Sequence, residues 1–313
     1  MILIVTHSND LGPDFVIRHL IARGKKYLRL DTDKLGSPDC FFGAKSTPEL
    51  HINGQIVRRA DVTAIWARRF ALPETLRRVS PQHSDFVKRE LGVVMDAFLE
   101  GDLSIYQINP SSVDRLAGNR IVQAQRAKQV GFATPDTLVT QDATQAREFL
   151  ERHKDVICKA LAFGRISSAP GAELAAYTSK TSRDISLDGL AICPALLQEQ
   201  IPNRFDWRIT TVNGRAFSAR ARFDAQAAHI DWRQEAQSAT NFERAEPPAI
   251  VVDKLLHLCR ESGLVYGAHD LIESESGEFF FLETNPAGQW GWLELTIGLP
   301  IGSAIADALS EHS

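Results

Sequence analysis

The sequence lacks most of the signals that mark a nucleotide or metal enzyme at sight. It has no Gly-x-x-x-x-Gly-Lys-Ser/Thr phosphate loop and no Gly-x-Gly-x-x-Gly fingerprint. Gly12 stands alone in the first loop, so Asp31, placed like a ribose-binding acid, does not make a dinucleotide site. The four cysteines, Cys40, Cys158, Cys193 and Cys259, lie too far apart for metal-type spacing. Cys158 and Cys193 sit in apolar runs and are expected as small core residues, and a reducing cytoplasm fits. No run reaches the length of a membrane span, and Met1-Ile2-Leu3-Ile4-Val5 reads as a buried strand, not a signal-peptide core. A net charge of −4 gives no polyanion-binding signature, so nucleic acid is not expected as a partner. Repeats and low-complexity segments are absent. Ser218 and Ser303 lack a nucleophile-elbow context, which disfavours a covalent-enzyme mechanism.

What is present is an ordinary globular composition, 44% apolar and 24% charged over 313 residues, enough for two or three subdomains. Residues 1–35 read as β-α-β: a strand from Ile2, a helix opened by Pro13-Asp14 and closed near Arg23-Gly24, and a strand from Lys26 to Leu30. Strands are expected from Val62 to Ala67 and from Ile105 to Ile108, a helix over 83–100, and a domain end near 115. Arg58, Arg59, Arg68, Arg69, Arg77 and Arg78 cluster here, either as a solvated, salt-bridged face or as a docking surface for an acidic peptide. A helix follows from Asn119-Arg120 to Gln129-Val130, then a strand from Thr137 to Thr140, a helix over 142–153 and a strand from Val156 to Leu161. Residues 162–171 are mostly small with one arginine, suited to a mobile phosphate-covering loop or to an ordinary surface loop. Leu196 to Ile201 is a strand. Asn213-Gly214 is a strong hairpin signal between the strands Asp206 to Val212 and Arg215 to Phe223, with Asp206, Arg208 and Thr210 on one face. A helix containing Leu255 to Glu261 ends near Gly263.

The last quarter carries the chemistry. Gly267-Ala268-His269-Asp270-Leu271-Ile272 and Phe279 to Trp290 flank a turn expected at Ser276-Gly277, where Gly supplies a positive φ. In that register Asp270 faces Glu283, and Asn285 shares the Glu283 face. Two carboxylates side by side repel unless a cation lies between them, and hard oxygen donors of this kind suit Mg²⁺. The alternative is a solvated Asp270 and a strand-end Glu283, against which the apolar flanks argue.

Other residues suit a nucleotide held without a phosphate loop. Lys159, on an apolar strand, offers a point charge to phosphate, or else snorkels from a strand edge. Arg120, opening a helix, offers a second charge, or is a solvated helix residue. Glu199, before Ile201-Pro202, suits an adenine amino group, and Asp206 suits a ribose hydroxyl. Arg208, Arg222 and Arg233 suit a transferred phosphate or a substrate carboxylate, though each alone is equally a surface ion-pair residue.

Taken together, Ile65-Trp66-Ala67-Arg68-Arg69, Asn119-Arg120, Gly131-Phe132-Ala133-Thr134-Pro135, Lys159 and Gln198-Glu199-Gln200-Ile201 resemble the ATP-grasp superfamily. Asp206-Trp207-Arg208, Asp231-Trp232-Arg233, Gly267-Ala268-His269-Asp270, the run Phe281 to Trp290 and Gly298-Leu299-Pro300-Ile301 narrow the likeness to its microviridin-type (graspetide) peptide ligases. The resemblance covers nearly the whole chain. It implies an α/β (α+β) ATP-grasp fold in three parts: a pre-ATP-grasp domain at 1–115, a central subdomain at 116–195 and a C-terminal subdomain at 196–313. ATP would lie between the last two. By likeness, Asp270, Glu283 and Asn285 match Mg²⁺ ligands, and Arg120 and Lys159 match phosphate-side cations. Glu199, Ile201 and Asp206 match adenosine-binding positions, with Gln198 and Gln200 in the same stretch. Arg208 and Arg233 match family motif residues on the phosphate or peptide side; Arg222 is a candidate by residue type alone.

The implied reaction phosphorylates an Asp or Glu side chain of a ribosomal precursor peptide, and a Ser or Thr hydroxyl or Lys amine of the same peptide displaces the phosphate. The implied partner is that precursor, leader and core, bound by a cytoplasmic enzyme that is a homodimer in many relatives. Arg120 stands where Lys is usual, Ala287 where Asn is common, and His269 points away from the metal face. Two other readings compete: a ligase adding a free amino acid to a peptide or protein, as the glutamate ligases do, and a nucleotide-gated peptide-binding protein without turnover.

Overall fold

Ile2, Leu3, Ile4 and Val5 are wholly buried, as a strand must be when both faces of a parallel sheet are covered. Their strand, Ile2–Thr6, pairs in parallel with Tyr27–Asp31 and with Ala64–Ala67, and Tyr106–Ile108 completes the four-stranded sheet. The computed structural model describes residues 1–44, 47–102, 104–162, 165–169, 172–175, 178–222 and 241–313. The sequence-predicted Arg233, with Asp231 and Trp232, lies outside these residues. Helices Gly12–Ala22 and Pro81–Glu100 belong to this first region. A three-stranded antiparallel sheet, Cys40–Ala44, Pro48–Ile52 and Gln55–Arg58, was not expected. Its signal was Asn53-Gly54, whose φ values of 49° and 76° make the tight turn that joins two strands.

The expected arginine cluster does not form one surface. Arg68 is 5% exposed and pairs with Asp10, Arg58 pairs with Glu49, and Arg59 donates to the Phe98 and Asp102 carbonyls. Arg77 lines a separate cleft of about 450 Å³ with His7, Asp33 and Lys88.

The middle of the chain forms a four-stranded antiparallel sheet in the order Ser179–Thr181, Val156–Lys159, Ala195–Glu199, Thr137–Thr140. Helix Ala143–Arg152, N-capped by the Asp142 carboxylate, packs Ala146, Phe149 and Leu150 against it. The segment read as a loop at 162–171 contains a strand, Arg165–Ala169, paired with Ala172–Ala175. Cys193 is exposed, contrary to the core position expected of it, because its apolar run turns at the surface just before Pro194.

The last part is a five-stranded sheet ordered Phe242–Arg244, Arg215–Ala221, Asn203–Val212, Tyr266–Ser274, Phe279–Asn285. Asn213 and Gly214, at φ 45° and 78°, make the expected hairpin. One face of the sheet, with Trp207, Ile209, Leu271 and Phe281, packs on helices Arg120–Gln129 and Ala249–Ser262. The other face merges with the first domain in one core that includes Ile2, Ile4, Trp66, Ala268, Trp290 and Leu309. No described helix is long and apolar enough to cross a membrane.

Candidate active site

Three neighbouring strands place Arg208, Asp270 and Glu283 in one row, since Arg208 pairs with Asp270 and Asp270 with Glu283. The expected facing of the two acids is present, but the route to it differs. Gly277, at φ 82°, is the third residue of a three-residue loop: its N–H donates to the Ser274 carbonyl at 2.9 Å, and Ser274 pairs with Glu278. That is a type I turn closed by a left-handed glycine, not a two-residue turn. It shifts the register by one residue, so that Leu271 faces Phe281. A bulge between Asp270 and Leu271 then restores the pairing of Asp270 with Glu283.

Each acid already meets a guanidinium. Arg208 Nη1 lies 2.7 Å from Asp270 Oδ1, and Arg120 Nη2 lies 2.8 Å from Glu283 Oε2. Asn285 Nδ2 donates to Glu283 Oε1 at 3.1 Å, so the amide and the acid meet at one point. Burial works against the charge of Arg208, but the adjacent Asp270 outweighs it, and the guanidinium pKa is raised.

Arg120 is placed by its helix. Asn119 caps the N-terminus, its side-chain oxygen accepting from Ile121 N and Val122 N at 3.0 and 3.2 Å. Gln123, one turn on and on the same face, accepts from Thr284 N at 2.5 Å. This buried glutamine was not singled out in the sequence. Its spacing of three from Arg120, and the adjacency of Thr284 and Glu283, carried the signal.

Beneath the row, on the opposite face of its strand, His269 is fully buried between Thr284 Oγ1 at 2.8 Å and Thr211 Oγ1 at 2.9 Å. Burial, aided by Arg208, pushes its pKa down to about 3, so it is a neutral brace. Above the row, Tyr266 Oη donates to the Gly288 carbonyl at 2.7 Å, and burial pushes the phenol pKa up to about 12. A Cβ on Gly288 would come within 2.5 Å of Ala268 Cβ and 2.8 Å of Arg208 Nη2, so only glycine fits. Asn109, also missed, holds the entry to this strand: its Oδ1 accepts from Val265 N and Tyr266 N, and its Nδ2 donates to the Tyr266 and Pro286 carbonyls.

The other expected residues lie along the middle sheet and the start of the last one. Lys159 Nζ donates to Gln198 Oε1 at 2.7 Å, and Gln198 Nε2 donates to Thr137 Oγ1. Glu199 ends its strand with a side chain 38% exposed and 3.8 Å from His153 Nδ1. The Glu199 and Gln200 N–H groups are used by the carbonyls of Asp136 and Asp155. Gln200 Oε1 is buried without a hydrogen-bond partner, an acceptor left open beside Ile201. Asp206 accepts from Asn203 Nδ2 at 2.8 Å. Arg222 is exposed just beyond the strand Arg215–Ala221, away from the Asp270–Glu283 row in sheet position.

Chemically, the row joins two acids, an amide and two arginines at the edge of a buried core. Among the described residues no three His, Cys, Asp or Glu side chains converge as a metal site. A hard ion at Asp270 and Glu283 would therefore depend on the Asn285 amide and on oxygens brought by a ligand, which is the donor set that suits Mg²⁺ with phosphate.

Residues 1–115 match the family model described as the MvdD pre-ATP grasp domain. No curated protein matches the chain. Among solved structures, the macrocyclase MdnC of Microcystis aeruginosa MRC, bound with precursor peptide MdnA, has a TM-score of 0.88 at 27% identity, over 99% of each chain. A RiPP-associated ATP-grasp ligase of Chryseobacterium gregarium, in complex with ADP and a leader and core peptide, has a TM-score of 0.90 at 26% identity, over 100% of this chain and 97% of that one. The macrocyclase MdnB of Microcystis aeruginosa MRC has a TM-score of 0.82 at 29% identity, over 98% of each chain. Residues 1–115 thus match an MvdD-type pre-ATP-grasp domain, and over nearly its whole length the chain is similar in fold and sequence to the RiPP ATP-grasp macrocyclases and ligases, which are enzymes.

Proposed function

We propose that the enzyme uses ATP and Mg²⁺ to activate an Asp or Glu side chain of a ribosomal precursor peptide and closes an ester or amide ring on it. The observation that carries this reading is the row Arg208, Asp270 and Glu283 across three strands, continued by Asn285. The bound peptides and the ADP of the MdnC and Chryseobacterium structures support it.

Asp270, Glu283 and Asn285 would hold Mg²⁺, which when bound supplies neutralisation of phosphate charge. Lys159, oriented by Gln198, and Arg120 would hold phosphate oxygens. Glu199, Gln200 and Ile201 would face the adenine edge, with Gln200 Oε1 as an available acceptor, and Asp206 the ribose. Arg208 would brace Asp270, while Arg222 and Arg233 would meet the transferred phosphate or the peptide. This division of labour assumes subdomains at 1–115, 116–195 and 196–313, with ATP between the last two.

A substrate carboxylate oxygen attacks the γ-phosphorus and the bond to the ADP oxygen breaks. A hydroxyl or amine of the same peptide then adds to the acyl carbon, loses its proton and expels phosphate. The peptide loses one water per ring. The protein's task is positioning and charge neutralisation, because an acyl phosphate is already reactive.

The same proposal places the enzyme in the cytoplasm, in keeping with four unpaired cysteines, and as a homodimer, to be checked by light scattering. Nucleic acid is not expected as a partner at a net charge of −4. The test is mass spectrometry of a Thr-, Ser-, Asp- and Glu-rich peptide encoded beside the enzyme, incubated with enzyme, ATP and Mg²⁺. Loss of 18 Da, about one water, per linkage supports the reading. Gain of an amino-acid mass replaces it with a free-amino-acid ligase, and ATP binding without ADP release replaces it with a binding protein.

A further inference from the structure

One buried polar chain joins the first domain to the acid row. Asp10 accepts from Thr6 Oγ1 at 2.9 Å and from Gly12 N at 3.1 Å, and then from Arg68 Nε at 2.6 Å. Both side chains of that ion pair are 2% exposed. Arg68 Nη2 donates to the Gln289 side-chain oxygen at 3.0 Å. The main-chain carbonyl of the same Gln289 accepts from Arg208 Nη2 at 3.0 Å, and Arg208 Nη1 reaches Asp270 at 2.7 Å. One residue thus sits between two buried guanidiniums, its side chain serving one and its backbone the other.

The walls of this chain are as specific as its bonds. A Cβ on Gly12 would come within 2.8 Å of Arg68 Nη2, and a Cβ on Gly288 within 2.8 Å of Arg208 Nη2. Both guanidiniums are therefore packed by bare backbone. Burial opposes the ionised Asp10 carboxyl, but Arg68, Thr6 and Gly12 overcome it, and its pKa is lowered. The pair stays charged and fixed, so it can orient what it touches.

We infer that Gln289 is a positioning residue that ties the pre-ATP-grasp domain to the metal-side acid. Asp10 and Arg68 orient the Gln289 side chain. Its carbonyl, on the same short loop, fixes Arg208, and Arg208 fixes the Asp270 carboxylate presented to the ion. This rests on the reading of Asp270 and Glu283 as Mg²⁺ ligands. The first domain then acts on the ion without touching it, through a support of the kind that sets ligand geometry in metal sites.

The test needs no peptide. ADP binding is titrated by calorimetry against Mg²⁺, and again in EDTA, for the full chain and its variants. Gln289→Met removes the side-chain acceptor at nearly constant volume. It should raise the Mg²⁺ needed for half-maximal enhancement of ADP binding by about tenfold and leave ADP affinity in EDTA unchanged. Gln289→Glu, which keeps an acceptor for Arg68, should stay within about threefold of the parent. Should the Met variant fail to fold, Gln289→Asn, too short to reach Arg68, carries the same expectation as Met. An unchanged Mg²⁺ requirement, or equal losses with and without Mg²⁺, overturns the inference. Glu283→Ala separates the two claims. If it raises the Mg²⁺ requirement while Gln289→Met does not, the positioning role alone fails. If neither does, the metal site fails as well.

Discussion

Arg120 Nη2 lies 2.8 Å from Glu283 Oε2, so a side-chain cation already holds the carboxylate that a metal ion would use. Arg208 does the same for Asp270 at 2.7 Å. The like charges of the row are compensated from both ends within the protein. An arriving ion competes with the Arg120 guanidinium at Glu283, whereas Arg208 orients Asp270, and the exchange at Glu283 is open to measurement.

Glu283→Ala should lower Mg²⁺-dependent ATP consumption at least about a hundredfold, since it removes a charged donor that no neighbour replaces. Coupled-enzyme detection of ADP release checks this. Activity within about twofold of the parent would remove Glu283 from the metal site.

Replacing the competing cation should have a split effect. In Arg120→Gln the Glu283 carboxylate loses its guanidinium partner, so half-saturation by Mg²⁺ should fall about threefold to tenfold, the worth of one partly exposed charged hydrogen bond. The KM for ATP should rise in the same variant if Arg120 also meets phosphate as proposed, because that charge is lost. Both parameters come from one two-dimensional titration. A rise in both would mean that Arg120 supports the metal instead of competing with it.

Gly288→Ala should cost about 1–3 kcal/mol of stability, the range for an overpacked core. Its Cβ would meet Ala268 Cβ at 2.5 Å, Arg208 Nη2 at 2.8 Å and Asn285 Cβ at 3.1 Å, and neither sheet nor guanidinium has room to yield. Urea denaturation measures the loss. A variant as stable as the parent would show that the loop can move off the row.

Asp114 should make stability fall as pH rises. Burial pushes its carboxyl pKa up to about 7; Asn109 opposes the shift, and Glu100 adds to it. Between the unfolded value of about 4 and this folded value the native state holds the extra proton. The resulting stability is fully present below about pH 4 and lost as pH approaches about 7. Asp114→Asn should remove this component, so that its advantage over the parent in thermal melts appears near pH 8 and is absent near pH 4. Equal pH profiles for the two proteins would contradict the shift.

Much of this architecture is legible in the sequence. The alternation of Trp207, Arg208, Ile209 and Thr210 separates a helix-facing side from the row, because a strand exposes its two faces in strict turn. Asn213-Gly214 located its hairpin through backbone geometry that few other residues adopt. The sequence shows the facing of Asp270 and Glu283 but not the route to it. A three-residue turn and a bulge shift the register in opposite directions, and a bulge leaves no composition signal. What the sequence could not show was long-range pairing. Nothing near Arg68 in the chain announces Gln289, and nothing near Asn109 announces Tyr266, since such contacts exist only once sheets are packed. Gln123 and the Asn53-Gly54 turn were accessible by spacing and by motif, and were overlooked next to more conspicuous charges.

The core shared by Ile2, Ile4 and Trp66 with Ile305 and Leu309 has a consequence for synthesis. The parallel sheet of the first domain leaves the ribosome with one apolar face only partly covered, by Val16 and Leu20 of helix Gly12–Ala22, because the rest of its cover, helix Ile301–Ser310, is made far later. Roughly the time to add two hundred residues, on the order of 10–40 s at ordinary elongation rates, separates the two. The nascent chain must spend that interval with part of this apolar core exposed. Slow elongation or a chaperone deficit should thus be felt first as aggregation of translation intermediates, before any loss of catalytic competence in finished molecules.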